Sequence, residues 1–306
     1  MTEQQIQPQT PQQPPKAQAE DRFKFEFSYL LPILGSMLFG LLCAFLLSLQ
    51  PEEIIPPVTP VPETTPGAPV GNAIYFVVLL AAAASVFYLL LKRRSKKIIK
   101  GLIVAALTTA SLLLSFFYLY SIFDYFAPEW IDLILPLMVV ITVFFDLAIF
   151  KMGSNVRNVV LILLGGALGV FFGSAIPWWS AVAILLFLAV YDVVAVYKGP
   201  VGKIAQSGSG LDDLQGLSFS YKDIQMGLGD LVFYSMLMGL LFKTFSPSIF
   251  PAVAGIVGIL AGSVLTFYML EKKGLFPGLP FPIVIGLAAG FVTALVLGLS
   301  FPAALF

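Results

Sequence analysis

The sequence predicts an all-α integral membrane protein with about nine transmembrane helices. Hydrophobic residues make up 58% of its 306 residues, whereas charged residues make up only 11%. Soluble globular proteins carry about 25% charged residues, so a soluble chain of this composition would leave much apolar surface in water. Apolar runs recur along the chain, each near the length of about 20 residues that crosses a bilayer as a helix.

The predicted spans are separated by polar or proline-containing connections. The fifth and sixth are divided only by Ile176-Pro177-Trp178-Trp179, which is typical of a tight turn at the membrane interface. Two longer connections are expected to be loops: 50–71 is rich in proline, and 198–223 is rich in glycine and serine. The predicted spans are 29–49, 72–91, 100–120, 131–150, 158–176, 178–197, 224–242, 248–270 and 281–302.

The basic residues predict the orientation of these spans. If the N-terminus lies in the cytoplasm, only one of the 17 basic residues, Lys243, falls outside a cytoplasmic segment. An odd number of spans then places Phe306 outside, and the expected location is the cell membrane. The predicted organisation is a disordered cytoplasmic tail at 1–27, a six-helix portion at 28–197, a cytoplasmic loop at 198–223 and a three-helix portion at 224–306.

Composition excludes several kinds of chemistry. The chain contains no histidine and a single cysteine, Cys43. It therefore lacks the base of a serine-histidine triad and the ligands of common zinc sites, including those of metalloproteases. The net charge is zero, so no nucleic-acid partner is expected. We expect no cofactor and no metal, and the sequence leaves the oligomeric state open.

Three carboxylates fall well inside predicted spans: Asp146, Asp192 and Asp230. Ionisable groups are costly in a bilayer and are candidate functional residues. Asp192 lies six residues before Lys198 and Asp230 seven residues after Asp223, so the predicted helices place them roughly 9 and 10 Å deep from the same side. Two carboxylates on consecutive antiparallel helices can meet at this depth. Such a pair shares a proton and can supply both acid and base, as in an aspartic protease.

The residues around these aspartates match a known family. The motifs are Tyr191-Asp192, Gly227-Leu228-Gly229-Asp230 and Pro277-Gly278-Leu279. Together with the span number, they resemble the presenilin and signal peptide peptidase family of nine-span intramembrane aspartyl proteases. The resemblance implies that Asp192 and Asp230 are the catalytic pair and that the substrates are transmembrane-helix proteins or peptides in the lipid bilayer. Because it lacks a long hydrophilic loop, the chain resembles a compact prokaryotic, archaeal-type member of the family. Its predicted orientation is similar to that of presenilin.

The resemblance also implies a set of substrate-binding residues. In this family the third motif usually reads Pro-Ala-Leu, so Gly278 is a departure from the pattern. The residues expected to contact substrate are Tyr191, Gly227, Leu228, Gly229, Pro277, Gly278, Leu279 and Pro280.

The proline-rich segment 277–282 carries a separate hypothesis. Three prolines in six residues disfavour a helix. We expect this segment to lie extended at membrane depth, where it would pair with an unwound substrate as an added strand. Leu279 would then donate its backbone N–H to the substrate.

Two further patterns have structural interpretations. Small residues recur every four positions at Gly165, Gly169 and Gly173, which predicts close helix packing, and similar runs occur in the last two spans. Asp146 has no surrounding motif and is expected to snorkel to the interface or to hydrogen-bond to a neighbouring helix.

Two alternative functions stay open from sequence. A prepilin peptidase also uses a Gly-x-Gly-Asp motif, although with fewer spans and without the Pro-x-Leu element. A secondary transporter could use the three intramembrane aspartates as proton or cation sites, since transporters also combine broken helices with carboxylates near the midplane. Against the transporter, the two halves of the chain show no clear repeat.

Overall fold

The computed structural model describes residues 24–50, 55–93, 95–198, 216–221 and 224–302. The described residues form nine α-helices and one two-stranded antiparallel sheet. The helices are α1 Leu31–Ser48, α2 Ala68–Lys92, α3 Lys96–Phe126, α4 Ile134–Phe150, α5 Ser154–Ala175, α6 Trp178–Tyr197, α7 Leu228–Phe245, α8 Phe250–Lys273 and α9 Pro280–Val296. The strands are β1 Ser218–Tyr221 and β2 Ile224–Gly227, and short 3₁₀ turns at Phe27–Leu30 and Pro128–Leu133 precede α1 and α4.

The prediction of an all-α membrane protein is confirmed. Eight of the described helices, with the 3₁₀ turns that lead into two of them, are long and apolar enough to cross a bilayer. The ninth, α9, is apolar and has 17 residues, which corresponds to about 25 Å of rise. That length is at the short end of the range for a span.

The predicted start of the seventh helix is wrong, and the loop before it contains a strand. The span expected at 224–242 starts as a helix only at Leu228, because 224–227 forms strand β2. The loop expected at 198–223 contains strand β1, whose Ser218 pairs with Gly227. Residues 199–215 and 222–223 of that loop, and 1–23 of the expected tail, lie outside the described residues.

The helix that carries Asp230, α7, is held by close contact with α5. The small residues predicted to pack helices lie at this interface. A methyl group added at Gly169 would collide with the backbone oxygen of Val232, and one added at Gly173 would lie 2.6 Å from the backbone oxygen of Met236. The backbones of α5 and α7 therefore approach as closely as only glycine permits.

Helices α8 and α9 pack in the same way. A methyl group at Gly258 would lie 2.9 Å from the Cα of Gly286, and one at Gly262 would lie 2.5 Å from the Cα of Pro282. The second contact fixes the start of α9 against α8. The segment between these helices, 274–279, is thereby held close to the α7 N-terminus.

Hydrogen bonds at the two ends of the bundle show which helix ends lie beside each other. At one end, the backbone N–H of Phe25 donates to Glu271 at 3.0 Å, so the start of α1 lies beside the end of α8. At the other end, the indole of Trp179 donates to the backbone oxygen of Pro302 at 3.2 Å. Lys243, the exception in the charge pattern, donates to the backbone oxygen of Ser174 at 2.8 Å, in the last turn of α5. A helix C-terminus is a favourable place for a cation.

The close contact between α5 and α7 predicts that the stability of the protein depends sharply on side-chain size at this interface. Gly173→Ala places a methyl group 2.8 Å from the Leu240 backbone nitrogen and should destabilise the protein by about 1–3 kcal/mol through overpacking. Gly101→Ala on α3 is the control, because a methyl group there would have no described residue within 4 Å apart from its chain neighbours and the backbone of its own helix. Thermal unfolding in detergent compares the two variants. Equal melting temperatures for both would contradict the close approach.

Candidate active site

Asp192 lies on α6, five residues before that helix ends at Tyr197. Its Oδ2 accepts a hydrogen bond of 2.9 Å from the backbone N–H of Leu279. Leu279 precedes α9, so the bond joins α6 to the segment that follows α8. A backbone N–H is a strong donor to a carboxylate in a site away from bulk water.

Asp230 lies in the first turn of α7, at the third helical position. Gly227 is the N-cap residue of that helix, and a methyl group added there would lie 3.8 Å from Asp230 Oδ2. The Asp230 carboxyl therefore lies at the α7 N-terminus, where the helix dipole favours an acidic group.

The segment Pro277–Leu279 brings the two carboxyls together. A methyl group added at Gly278 would lie 3.2 Å from Asp230 Oδ1 and 3.3 Å from Oδ2, so the backbone of Gly278 rests against this carboxyl. The next residue, Leu279, binds Asp192. The two aspartates are close enough to interact electrostatically with each other.

The expectation that 277–282 lies extended is wrong from Leu279 onward, because Leu279 already has helical backbone angles. Helix α9 begins at Pro280, and the backbone N–H of Ile283 donates to the oxygen of Leu279 at 3.0 Å. Prolines are tolerated in this first turn because the N–H groups they lack would have no partner within the helix. The Leu279 N–H, expected to pair with substrate, instead binds Asp192.

Tyr234 is a site residue that the sequence reasoning missed. Its hydroxyl donates to the backbone oxygen of Gly278 at 2.9 Å, and only 2% of the residue is exposed. Tyr234 lies four residues after Asp230, one turn along the same face of α7. That spacing from the motif aspartate is the signal that could have identified it.

The other predicted substrate-binding residues differ in their exposure and in what they pack against. Tyr191 is half-buried beside Asp192, and Gly229 is exposed on the first turn of α7. Leu228 is buried and would lie 3.2 Å from a methyl group at Gly165, so its side chain packs on α5. Pro280 is the first residue of α9.

The β1–β2 hairpin leads directly into the α7 N-terminus. The backbone N–H of Leu228 donates to the oxygen of Leu217 at 2.8 Å, which continues the strand pairing by one step. Asn158 on α5 donates to the backbone oxygen of Ser220 at 2.7 Å. The hairpin is thus fixed at the end of the bundle nearest Asp230.

Asp146 is separated from this site by its helix packing. It lies on α4, which packs on α3 and α5, and its Oδ2 accepts a hydrogen bond of 2.7 Å from Thr108 on α3. The expected hydrogen bond to a neighbouring helix is therefore present.

The pair of carboxyls has no cation beside it on its own helices. Helix α6 contains no Lys or Arg, and Lys243 lies thirteen residues after Asp230, at the opposite end of α7. Within the described residues, no group of three or more His, Cys, Asp and Glu residues could hold a metal ion. Two such carboxyls share a proton more readily than they both ionise, and the pair can then act as acid and base together.

Comparison with known proteins assigns the family. The sequence profile of the family described as signal-peptide peptidase, presenilin aspartyl protease matches residues 37–205. That segment is more than half of the chain and includes Asp192. The chain belongs to the signal peptide peptidase and presenilin family of aspartyl proteases. It is accordingly an intramembrane aspartyl protease and a multi-pass integral membrane protein.

The fold of this family member matches solved structures. A presenilin family intramembrane aspartate protease in space group C222 aligns with a TM-score of 0.62 and 17% sequence identity. The P2 crystal form of a presenilin family intramembrane aspartate protease gives a TM-score of 0.58 and 23% identity. Each alignment covers 88% of this chain and 98% of the other. Family membership decides against the prepilin peptidase and transporter alternatives.

The Tyr234 hydrogen bond should matter for activity more than for stability. Tyr234→Phe frees the Gly278 backbone that rests against Asp230, so we expect about a tenfold loss of kcat. Tyr118→Phe is the matched control, because Tyr118 donates a similar bond of 2.7 Å to the backbone oxygen of Ala167, between α3 and α5. Both variants should lose about 1 kcal/mol of stability. Equal activity in the two variants would show that the bond does not position the site.

Proposed function

We propose that Asp192 and Asp230 are the catalytic pair of this intramembrane aspartyl protease and that the enzyme is of the Gly-x-Gly-Asp type. The observation that carries the proposal is the convergence of both carboxyls on one backbone segment. Leu279 donates to Asp192, and its neighbour Gly278 rests against Asp230. Each carboxyl lies on a separate helix, α6 for Asp192 and α7 for Asp230, so the relative position of the two carboxyls is set before substrate arrives.

The pair would hydrolyse a peptide bond by general acid–base catalysis. The ionised carboxyl removes a proton from a water molecule, whose oxygen attacks the peptide carbonyl carbon. The protonated carboxyl donates to the carbonyl oxygen as negative charge develops there. When the carbon–nitrogen bond breaks, the departing nitrogen receives a proton from the pair. One water is consumed, and the products are a carboxylic acid and an amine.

The substrates proposed for this site are transmembrane helices of other proteins. A helix hides its peptide groups in its own hydrogen bonds, so it must unwind locally before a carbonyl can reach the aspartates. The proposed substrate-contacting residues surround the pair: Tyr191, Gly227, Leu228, Gly229, Pro277, Gly278, Leu279 and Pro280. Among these, Gly278 allows close approach, whereas Leu228 acts through its backbone because its side chain packs on α5.

We also propose that the site opens toward the cytoplasm, with the N-terminus on the same side. The contact between Phe25 and Glu271 places the start of α1 and the end of α8 at one end of the bundle. Lys272 and Lys273 end α8 there, as the positive-inside rule requires of a cytoplasmic end. The six-helix and three-helix portions are then joined by the cytoplasmic segment that includes the hairpin.

Substitution of the aspartates tests the catalytic assignment. Asp192→Ala and Asp230→Ala should each reduce cleavage of a transmembrane peptide by at least about a hundredfold, because the acid and the base act as one unit. Asp146→Asn, which alters a carboxyl bound to Thr108, should retain most activity. Fragments are quantified by mass spectrometry with folded protein verified by thermal unfolding. Substantial cleavage by a folded Asp192→Ala or Asp230→Ala variant would refute the assignment.

The shared proton predicts a bell-shaped dependence of rate on pH. The pair is active with one proton bound, so kcat/KM should fall below the first macroscopic pKa of the pair and above the second. The initial rate is measured across the range in which the protein stays folded. A rate that is constant from acid to alkaline pH would contradict catalysis by a singly protonated pair.

Cysteine labelling tests the orientation. In a Cys43→Ser background, Ser154→Cys should react with an impermeant thiol reagent only from the cytoplasmic side, and Ser300→Cys only from the outside. Ser154 is exposed at the start of α5, and Ser300 is exposed four residues after the end of α9. The reverse pattern would invert the proposed orientation and would leave the catalytic assignment intact.

A further inference from the structure

A cavity of about 110 Å³ lies beside Asp230, between the α7 N-terminus and α8. Asp230 and Tyr234 line it from α7, and Ser263, Thr266 and Phe267 line it from α8. Asp192 is not among its lining residues. We call this space the Thr266 cavity. It reaches the proposed catalytic pair at Asp230 alone.

Thr266 has a buried hydroxyl that its own helix does not satisfy. Only 6% of the residue is exposed, and its Oγ1 has no hydrogen-bond partner among the described residues. Serine and threonine in helices commonly donate to the carbonyl four residues earlier. Ser263, one turn away in the same helix, does so to Ile259 at 2.8 Å. Leaving a buried hydroxyl unpaired costs about 1–3 kcal/mol of stability, so Thr266 is expected to have a hydrogen-bond partner within the cavity.

The cavity has the size and the polarity that water requires. One buried water needs about 10–15 Å³ of such space, so the cavity has room for several molecules. A buried water needs two to four polar partners, and the Asp230 carboxyl and the hydroxyls of Thr266, Ser263 and Tyr234 line the space. Gln225, exposed on strand β2, lines it as well and connects it to the end of the bundle. The cavity therefore joins that surface to Asp230.

We propose that the Thr266 cavity holds the water that supplies the hydrolysis reaction, with Thr266 as a positioning residue. The inference rests on the proposed role of Asp230 and adds the source of its co-substrate. Each turnover consumes one water, and lipid surrounds the transmembrane part of the protein. A chain of water bound by Thr266 keeps the Asp230 carboxyl hydrated and replaces the water that reacts.

A substrate side chain is the other occupant that the cavity could take, and it fits the lining less well. An apolar side chain would leave the Thr266 hydroxyl and part of the Asp230 carboxyl without hydrogen-bond partners. Burying two unpaired polar groups in this way is unfavourable. Such a subsite would change KM and the preferred residue next to the cleaved bond. A water supply changes kcat with a given substrate.

X-ray hydroxyl-radical footprinting tests the cavity without relying on activity. Radicals formed from bound water oxidise the side chains beside it. Phe267 lines the cavity, and Phe245, which does not, is the matched control because the two are 5% and 3% exposed. In wild type and in Thr266→Ser, Phe267 should be oxidised at least about fivefold faster than Phe245. In Thr266→Val the two rates should converge.

Kinetics on the same variants test the consequence for catalysis. Thr266→Val, which keeps the side-chain volume, should lower kcat about tenfold with unchanged KM, and Thr266→Ser should restore it. Equal oxidation of Phe267 and Phe245 in wild type, or an unchanged kcat in Thr266→Val, would overturn the proposal. A shift in KM and residue preference alone would assign the cavity to a substrate side chain and overturn it too. Footprinting of the Asp230→Asn variant reports on cavity water even if Asp230 proves not to be catalytic.

Discussion

Two carboxyl groups inside a membrane can be held at fixed positions only if the protein supplies contacts that lipid cannot. In this protein the backbone of one short segment supplies them. Leu279 donates to Asp192, and Gly278 lies against the Asp230 carboxyl. Because lipid offers no hydrogen bonds, each carboxyl depends on the exact path of the chain at these positions. The segment 277–279 is therefore the element on which the site is built.

The rest of the fold serves to hold that segment in place. Glycines on α5 bring α7 close enough to fix the helix that carries Asp230, and Gly262 on α8 fixes the start of α9. Tyr234 then connects α7 to Gly278 by a hydrogen bond. The site thus lies at the meeting point of four helices, α6 to α9, rather than within any one of them. Packing of this kind can hold two acidic groups close together without a basic residue beside them on their own helices.

The sequence predicted the membrane architecture well because the length of an apolar run has a direct physical meaning in a bilayer. The same reasoning gave Asp146, Asp192 and Asp230 as candidates, since carboxylates within apolar runs are rare, and the motifs around the last two singled them out. It failed at strand β2, because Ile224-Gln225-Met226 is a short, largely apolar stretch next to a span and was assigned to the helix. Pro280 and Pro282 led to the opposite error. They were interpreted as breaking a helix, whereas they lie in the first turn of α9.

Two residues of the site carry no local pattern that distinguishes them. Tyr234 and Thr266 lie in helices among many other residues of similar polarity, and only the packing of α7 against α8 gives them a common cavity beside Asp230. Contacts of this kind depend on the relative rotation of two helices. A sequence specifies such a rotation through the sum of many weak packing preferences, so reasoning about one segment at a time does not recover it.

The central claim is that Asp192 and Asp230 act as one catalytic unit, and the binding of a transition-state analogue tests it most directly. The analogue is a cleavable transmembrane peptide in which a hydroxyethylene group replaces the scissile amide. Asp192→Asn and Asp230→Asn should each weaken its binding by at least about a hundredfold, and the double variant should bind no more weakly than either single one. Wild-type affinity in either single variant, or losses that multiply in the double variant, would contradict a shared site.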